Sequence, residues 1–197
     1  MPASDWIDLA LSSVGAPAAP ALADHDGLAA ASPAVAVIPV GDDGRILLVD
    51  RHRLDAGPRR WEVPAGAIAP GESVEEAAQR QLLDETGLGA DAWIPLGPYR
   101  SSSGSGARTF HVMVARGLSQ RAEPEDRDRT LALQWFDVRR IRRLVGASQI
   151  SDRVSLTALC WAFTLADTLA LAEGSVDVEP YGAISFSASQ PPLPLSS

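Results

Sequence analysis

Three acidic side chains and one amide lie close together in residues 66–88 of the sequence. Gln81, Asp84 and Glu85 are three and four positions apart, so they share a face if the segment is helical. Glu72 precedes the predicted helix and can reach back toward that face. Carboxylates suit a hard divalent cation, and magnesium in particular binds through a few carboxylates together with substrate phosphates. The spacing therefore predicts a small acidic site for such a cation.

The element that must position these groups is a short helix with sequence signals at both ends. Ser73 and Glu76 fit the capping box, in which a serine caps the helix start and a glutamate three residues later returns the hydrogen bond. Gly87 stands where a left-handed C-terminal cap is expected. An apolar stripe at four-residue spacing would face the core: Val74, Ala78 and Leu82. The same pattern is also compatible with an ordinary amphipathic helix whose acidic face is solvated.

Short β-prone runs surround this helix and two more predicted helices follow it. Gly41-Asp42-Asp43-Gly44 joins the first two runs and is typical of a hairpin turn. The predicted strands are residues 34–40, 45–49, 61–64, 92–96, 110–115 and 130–136. Residues 137–145 form a predicted basic helix, and Ser151-Asp152 would cap a longer, apolar helix that ends at Ala172. The chain length and this order indicate one α/β domain.

The stretch around the predicted helix resembles the Nudix box of diphosphate hydrolases. The matching positions are Gly66, Glu72, Arg80, Leu82, Glu85, Gly87 and Leu88. Two positions depart from the pattern, since Gln81 stands where the box has glutamate and Asp84 replaces the first glutamate of its acidic pair. The match is specific because its fixed positions span the whole stretch, and the capping signals independently predict a helix there.

The resemblance implies an α/β fold, namely a Nudix-type α/β/α sandwich with a mixed β-sheet and a loop–helix–loop metal motif. Residues 48–53 and 60–66 also look like the segments that precede the box in the ADP-ribose pyrophosphatase branch, so the likeness covers residues 34–172. On this basis residues 33–173 would form the Nudix hydrolase domain. Residues 1–32 would be a flexible N-terminal arm, and residues 174–197 a Ser/Pro-rich tail.

The resemblance also implies roles for individual residues around a metal ion. Glu85 would be the principal ligand of Mg²⁺, with Mn²⁺ as the alternative ion. Three further oxygen ligands would complete the protein's share of the shell: Asp84, Gln81 and the backbone carbonyl of Ala65. Glu72 would be a supporting catalytic acid, and Arg80 would pair with it to hold the loop against the helix.

Other candidates lie on the substrate side. Arg53 and Arg60 would meet the phosphates or the terminal ribose as bidentate donors. Trp61 would either stack on a base or belong to the core, and Glu62 is a further substrate-side candidate. Similar enzymes draw a glutamate from the loop before the last strand as catalytic base or extra ligand. The candidates here are Glu123 and Glu125, and the alternative for both is a solvated loop of mixed charge.

The predicted function is hydrolysis of a nucleoside diphosphate linked to another moiety, of the ADP-ribose or nucleotide-sugar kind. The resembled branch carries a proline immediately before the glycine of the loop at residues 101–106, followed by acidic residues. This chain has Ser103, then Ala107 and Arg108, which counts against ADP-ribose itself. Gln81 leaves two hypotheses. The chain is a working hydrolase with a thinner metal site, or it keeps the fold as a ligand-binding, regulatory or repurposed biosynthetic protein.

Composition narrows the expected partners and location. The chain has 197 residues and a formal charge of -8, and all 17 of its basic residues are arginine. Such a charge argues against nucleic-acid binding, because no basic field faces a phosphate backbone. The single cysteine, Cys160, fits a reducing compartment, and no apolar run suggests a membrane span or signal peptide. We therefore expect a cytoplasmic protein with a small-molecule substrate and, by analogy with the resembled branch, a homodimer.

Overall fold

The computed structural model describes residues 32–51, 60–103, 106–124 and 130–172. The strands in these segments are β1 (Ala34–Pro39), β2 (Ile46–Arg51), β3 (Trp61–Glu62), β4 (Ala65–Ala67), β5 (Leu88–Gly89), β6 (Ala92–Ser103), β7 (Gly106–Arg116), β8 (Ser119–Gln120) and β9 (Thr130–Phe136). The helices are α1 (Val74–Thr86), α2 (Val138–Gly146) and α3 (Arg153–Ala172). The predicted tail and residues 1–31 of the predicted arm lie outside the described residues.

The central sheet has four strands in the order β4-β1-β7-β6. It is mixed, because β1 pairs with β7 in parallel while β4–β1 and β6–β7 are antiparallel. All six residues of β1 are buried, as expected for a strand that is covered on both faces. The predicted mixed sheet is thus confirmed.

Alternate residues of β1 separate two cores, one on each face of the sheet. Val35 and Val37 face α1 and pack with Leu82, whereas Ala36 and Ile38 belong to the opposite core. That second core includes residues of both other helices: Ile141 and Leu144 of α2, and Ala158, Leu159, Ala162 and Phe163 of α3. Burial of each of these aliphatic side chains contributes roughly 1.5–3 kcal/mol of transfer free energy. This burial stabilises the packing of the helices on the two faces of the sheet. The predicted α/β/α order is therefore observed.

A second, antiparallel sheet has the order β3-β2-β9 and corrects one prediction. The chain does reverse at the predicted turn, where the Gly44 N–H donates to the Gly41 carbonyl at 2.9 Å. The two flanking strands share only an isolated bridge between Val40 and Ile46 instead of forming the predicted hairpin. The reason is that β1 is already paired with β4 and β7, and β2 is already paired with β3 and β9.

The β6–β7 hairpin is longer than predicted, because β6 continues from Ala92 to Ser103 rather than ending at residue 96. The register of β6 against β7 shifts between Pro95 and Gly97, and this bulge lets β6 continue beyond its predicted end. Within the described residues, none of the helices has both the length and the apolarity needed to cross a bilayer.

Candidate functional site

Helix α1 begins and ends where the capping signals predict. The Ser73 hydroxyl accepts from the Glu76 N–H at 3.2 Å, and the Glu76 carboxylate accepts from the Ser73 N–H at 2.8 Å. At the other end Gly87 has φ 71°, and its N–H donates to the Leu83 carbonyl at 2.7 Å. A side chain at position 87 would also overlap the carbonyl of Ala122. These caps fix which helical residues face the preceding loop and which face β4.

A two-point ion pair joins the loop to the helix. Arg80 donates from Nε to Oε1 of Glu72 and from Nη2 to Oε2, each over 2.8 Å. Glu72 Oε2 also accepts from the Ala69 N–H at 2.8 Å, and Arg80 Nη2 donates to the Ala67 carbonyl at 3.0 Å. The hydrogen bonds from Arg80, followed by that from Ala69, lower the pKa of Glu72 to about 2. The same pairing raises the pKa of Arg80, so both groups are charged and hold residues 67–72 against the helix.

Glu85 lies in the last turn of α1 and contacts strand β4. Its side chain is only 2% exposed, and Oε1 accepts from the Ala65 N–H at 3.3 Å. Burying a carboxylate is costly unless it is hydrogen-bonded or paired with a cation. The N–H of Ala65 and the carboxylate of Glu85 are therefore in contact, and the ligand role of the Ala65 carbonyl stays a prediction.

Gln81 lies between these two groups. Its side chain packs over Gly66 so closely that a Cβ at position 66 would overlap the amide. The surrounding donors and acceptors assign the amide orientation. Its nitrogen donates to Glu85 Oε1 at 3.2 Å, and its oxygen accepts from Arg80 Nη1 at 2.6 Å. A continuous chain of contacts thus runs from Glu72 through Arg80 and Gln81 to Glu85.

Asp84 is more exposed than Glu85. Consecutive helical residues point about 100° apart. The Asp84 side chain is 35% exposed and lies 3.9 Å from Arg80 Nη1, whereas Glu85 is buried against Ala65. The predicted ligands therefore fall into two subsets, with Gln81, Ala65 and Glu85 on the inner side and Asp84 at the rim.

The donor set suits magnesium in kind. It offers two carboxylates, an amide and a backbone carbonyl, all oxygen donors, and magnesium usually takes one or two carboxylates and completes its octahedron with water and substrate phosphate. Across residues 32–51, 60–103, 106–124 and 130–172, no group of three or more His, Cys, Asp or Glu side chains could hold a metal ion. The predicted set holds two such side chains, Asp84 and Glu85, and the metal site stays a prediction.

Two more buried acids lie on the neighbouring sheet. Asp50 at the end of β2 is 1% exposed, and Glu62 in β3 is 6% exposed. Their strands are paired, with Asp50 opposite Trp61 and Val49 opposite Glu62. Glu62 is a candidate from the sequence and Asp50 is not, although an acid near the end of an apolar strand is a signal that marks it.

Trp61 belongs to the core, which is one of the two roles considered for it. The side chain is 7% exposed, and its ring meets Phe136 edge-on with centroids 4.9 Å apart. Arg60 beside it is exposed and donates from Nη1 to the Ser151 hydroxyl at 3.1 Å. Of the other candidates, Glu123 is exposed, whereas Arg53 and Glu125 lie outside the described residues.

A buried hydroxyl ties β3 to the start of α3. Ser155 is fully buried, and its hydroxyl accepts from the Val63 N–H at 3.0 Å. The Asp152 carboxylate caps the helix by accepting from the N–H of Ser155 at 2.8 Å and from its hydroxyl at 2.9 Å. Trp61 N–H donates to the carbonyl of Gln149 at 2.9 Å in the same seam. These contacts hold the strand that leads directly to Ala65. Of them, only the helix cap at Asp152 is predicted from the sequence.

Comparisons with known proteins find a family model and several relatives that match most of this chain. A family model described as the NUDIX domain matches residues 31–156. An ADP-ribose pyrophosphatase of Mycobacterium tuberculosis is 29% identical over 129 residues, which are 64% of this chain and 62% of that protein. A second ADP-ribose pyrophosphatase, of Bacillus subtilis, is 30% identical over 128 residues, 64% of this chain and 69% of that protein. The match thus spans less than two thirds of the mycobacterial relative.

Solved structures share the fold. The crystal structure of an ADP compounds hydrolase superposes with a TM-score of 0.59 at 24% identity, covering 73% of this chain and 75% of that one. A NUDIX hydrolase from Nitrosomonas europaea gives a TM-score of 0.55 at 20% identity, covering 68% of this chain and 88% of that one. The layered α/β arrangement described above is therefore that of known NUDIX structures.

Proposed function

The chain belongs to the NUDIX family, and from that premise we propose that it hydrolyses a nucleoside diphosphate linked to a second moiety. The substrate would be of the ADP-ribose or nucleotide-sugar kind, and water would attack the diphosphate bridge. The reacting groups would belong to a domain of residues 33–173. The observation that carries the proposal is the buried Glu85 carboxylate, held against the Ala65 peptide at the inner end of α1.

A diphosphate bridge needs its negative charge neutralised before water can attack it. A bound Mg²⁺, or Mn²⁺ in its place, would supply that neutralisation and would lower the pKa of a coordinated water. Glu85 would hold the ion from the inner side, together with the carbonyl of Ala65, and the predicted ligand Gln81 would lie beside them. Asp84 would contribute from the rim. All four are oxygen donors of the kind that magnesium prefers.

The remaining residues would position groups or move protons. Arg80 and Glu72 would hold residues 67–72 in place through the two-point ion pair, which keeps both charged at neutral pH. Arg60 and Arg53 would donate to substrate oxygens, and Glu62 would lie on the substrate side. Glu123 and Glu125 are the candidates for the general base that accepts a proton from the attacking water.

The names of the relatives support the choice of substrate class. Two relatives at 29% and 30% identity are ADP-ribose pyrophosphatases. We therefore rank ADP-ribose first, nucleotide sugars second, and we expect no nucleic-acid substrate for a chain with a formal charge of -8. We also propose a cytoplasmic homodimer, an extension of the family analogy that size-exclusion chromatography with light scattering would test.

A second candidate function is ligand binding without hydrolysis. It is favoured by one observation, namely that Gln81 is neutral and turns its amide nitrogen toward Glu85. An amide brings no negative charge to the site and neutralises a cation less well than a carboxylate. A regulatory or repurposed protein would bind the diphosphate compound and leave it intact.

The test is a panel assay in Mg²⁺ and, separately, in Mn²⁺. ADP-ribose, nucleotide sugars and dinucleotides are incubated with the protein, and AMP and sugar phosphates are separated by anion-exchange chromatography. The proposal predicts metal-dependent release of a nucleoside monophosphate from at least one of them. If a compound shifts the melting temperature yet no product forms with either ion, the binding function replaces the hydrolase.

A further inference from the structure

Gln81 makes contacts that a glutamate at this position could not make. Its nitrogen donates to Glu85 Oε1 at 3.2 Å while its oxygen accepts from Arg80 Nη1 at 2.6 Å. A glutamate has acceptors only, so it could keep the contact with Arg80 but not the donation to Glu85. The Gln81 amide thus acts both as a hydrogen-bond donor and as a hydrogen-bond acceptor.

The surroundings leave the Gln81 amide little freedom. It packs directly over Gly66, where any side chain would overlap it. Arg80 is itself held by Glu72 through two bonds of 2.8 Å. On the far side, the Ala65 N–H donates to the same Glu85 oxygen at 3.3 Å. Glu85 Oε1 is therefore held by two donors, one from the helix and one from β4.

A carboxylate at position 81 would change the electrostatics of the site. Two carboxylates in contact repel each other, and the repulsion raises the pKa of one of them unless a nearby cation offsets it. With glutamine, the inner side of the site carries one negative charge rather than two. The site therefore has a lower affinity for a free cation, while the Glu85 oxygens stay held in place.

We propose that Gln81 is a positioning residue that preforms the site around Glu85 in the metal-free protein. The cation is then taken up together with the diphosphate, whose oxygens supply the charge that the amide lacks. This inference rests on the proposed function, since it takes the acidic side chains to receive a divalent cation with substrate. It deepens that function by naming the bound species as a cation–diphosphate complex.

Four proteins test the inference: wild type, Gln81→Glu, Gln81→Met and the charge-swapped double variant Gln81→Glu/Glu85→Gln. The methionine variant removes both hydrogen bonds and adds no charge. The double variant keeps one carboxylate and one amide in contact, with their positions exchanged. Melting temperatures are measured at pH 8 in EDTA, in Mn²⁺ alone, and in Mn²⁺ with ADP.

In EDTA we expect Gln81→Glu to melt roughly 4 °C or more below wild type, and the double variant to recover most of that loss. Mn²⁺ alone should raise the melting temperature of Gln81→Glu markedly and that of wild type and Gln81→Met little. Wild type should respond mainly when ADP is added with Mn²⁺. A role in packing alone would not create a response to Mn²⁺ in the glutamate variant.

Several results would overturn the inference. A Gln81→Glu variant as stable as wild type in EDTA contradicts it, as does an equal response of all four proteins to Mn²⁺ alone. If the glutamate variant does not fold, a wild-type response to Mn²⁺ that ADP does not increase is sufficient to reject it. Absence of any Mn²⁺ response, with or without ADP, in all four proteins would instead reject the proposed function and this inference with it.

Discussion

Arg80 and Glu72 meet at two points, Nε to Oε1 and Nη2 to Oε2, each over 2.8 Å. The loop residue and the helix residue are eight positions apart in sequence, and the side chain of Glu72 is 15% exposed. Because Arg80 also donates to the Ala67 carbonyl and Glu72 accepts from the Ala69 N–H, the pair fixes the path of the chain that leads from β4 into α1. The ion pair therefore orients the helix from which Gln81, Asp84 and Glu85 project.

The first prediction concerns pH. The pKa of Glu72 is about 2 in the folded protein against an ordinary 4.5, so the folded state binds fewer protons at this site. The stability from the pair is thus fully present above about pH 4.5, and it is lost as the pH falls toward 2. Glu72→Gln should lower the melting temperature at pH 7, and the difference from wild type should shrink as the pH is lowered to 3. The control is Glu75→Gln in the first turn of α1, and a Glu72→Gln loss that does not vary with pH would contradict the assignment.

The second prediction concerns the close packing at Gly66. Gly66→Ala adds a methyl group that overlaps the Gln81 amide, so that side chain must move away from Glu85. Because the overlapped atoms are the far end of a flexible side chain, the cost in stability should lie at or below the low end of the roughly 1–3 kcal/mol that overpacking costs in a core. We expect a lower melting temperature together with a lower rate of hydrolysis. Gly146→Ala is the matched control, because nothing lies within 4 Å of a Cβ there. Equal effects of the two substitutions on the rate would show that the contact at Gly66 has no functional weight.

The third prediction concerns the seam between β3 and α3. Ser155→Ala leaves the buried Val63 N–H without its acceptor, and such a loss costs about 1–3 kcal/mol. Urea denaturation should show this loss of unfolding free energy. Thr164→Ala removes an exposed hydroxyl from the same helix and should change stability by only about 0.5 kcal/mol or less. If the two variants are equally stable, the seam is not what holds β3 in place.

Local chemistry explains which parts of the fold the sequence predicts well. The bounds of α1 follow from Ser73, Glu76 and Gly87, whose capping interactions depend only on neighbours within a few residues. The pairing of Arg80 with Glu72 is close in sequence and was likewise expected. The family model and the fold neighbours confirm the family and the layered α/β architecture.

Long-range contacts were harder to predict. Ser155 bonds to Val63 across 92 positions, and no local pattern in either segment announces that contact. The predicted hairpin at 41–44 failed for a related reason, since partners distant in sequence compete for both edges of β1 and β2. The greater exposure of Asp84 than of Glu85 depends on how α1 is rotated against β4, which a shared helical face does not specify.

The most direct test of the account is the dependence of hydrolysis on Glu85. Magnesium-dependent release of AMP from ADP-ribose, or from the best compound of the panel, is measured for wild type, Glu85→Gln and the control Glu75→Gln. The account predicts that Glu85→Gln lowers kcat/KM by about 100-fold or more while the protein stays folded, and that Glu75→Gln behaves as wild type. A folded Glu85→Gln variant that retains a rate within about threefold of wild type would contradict it.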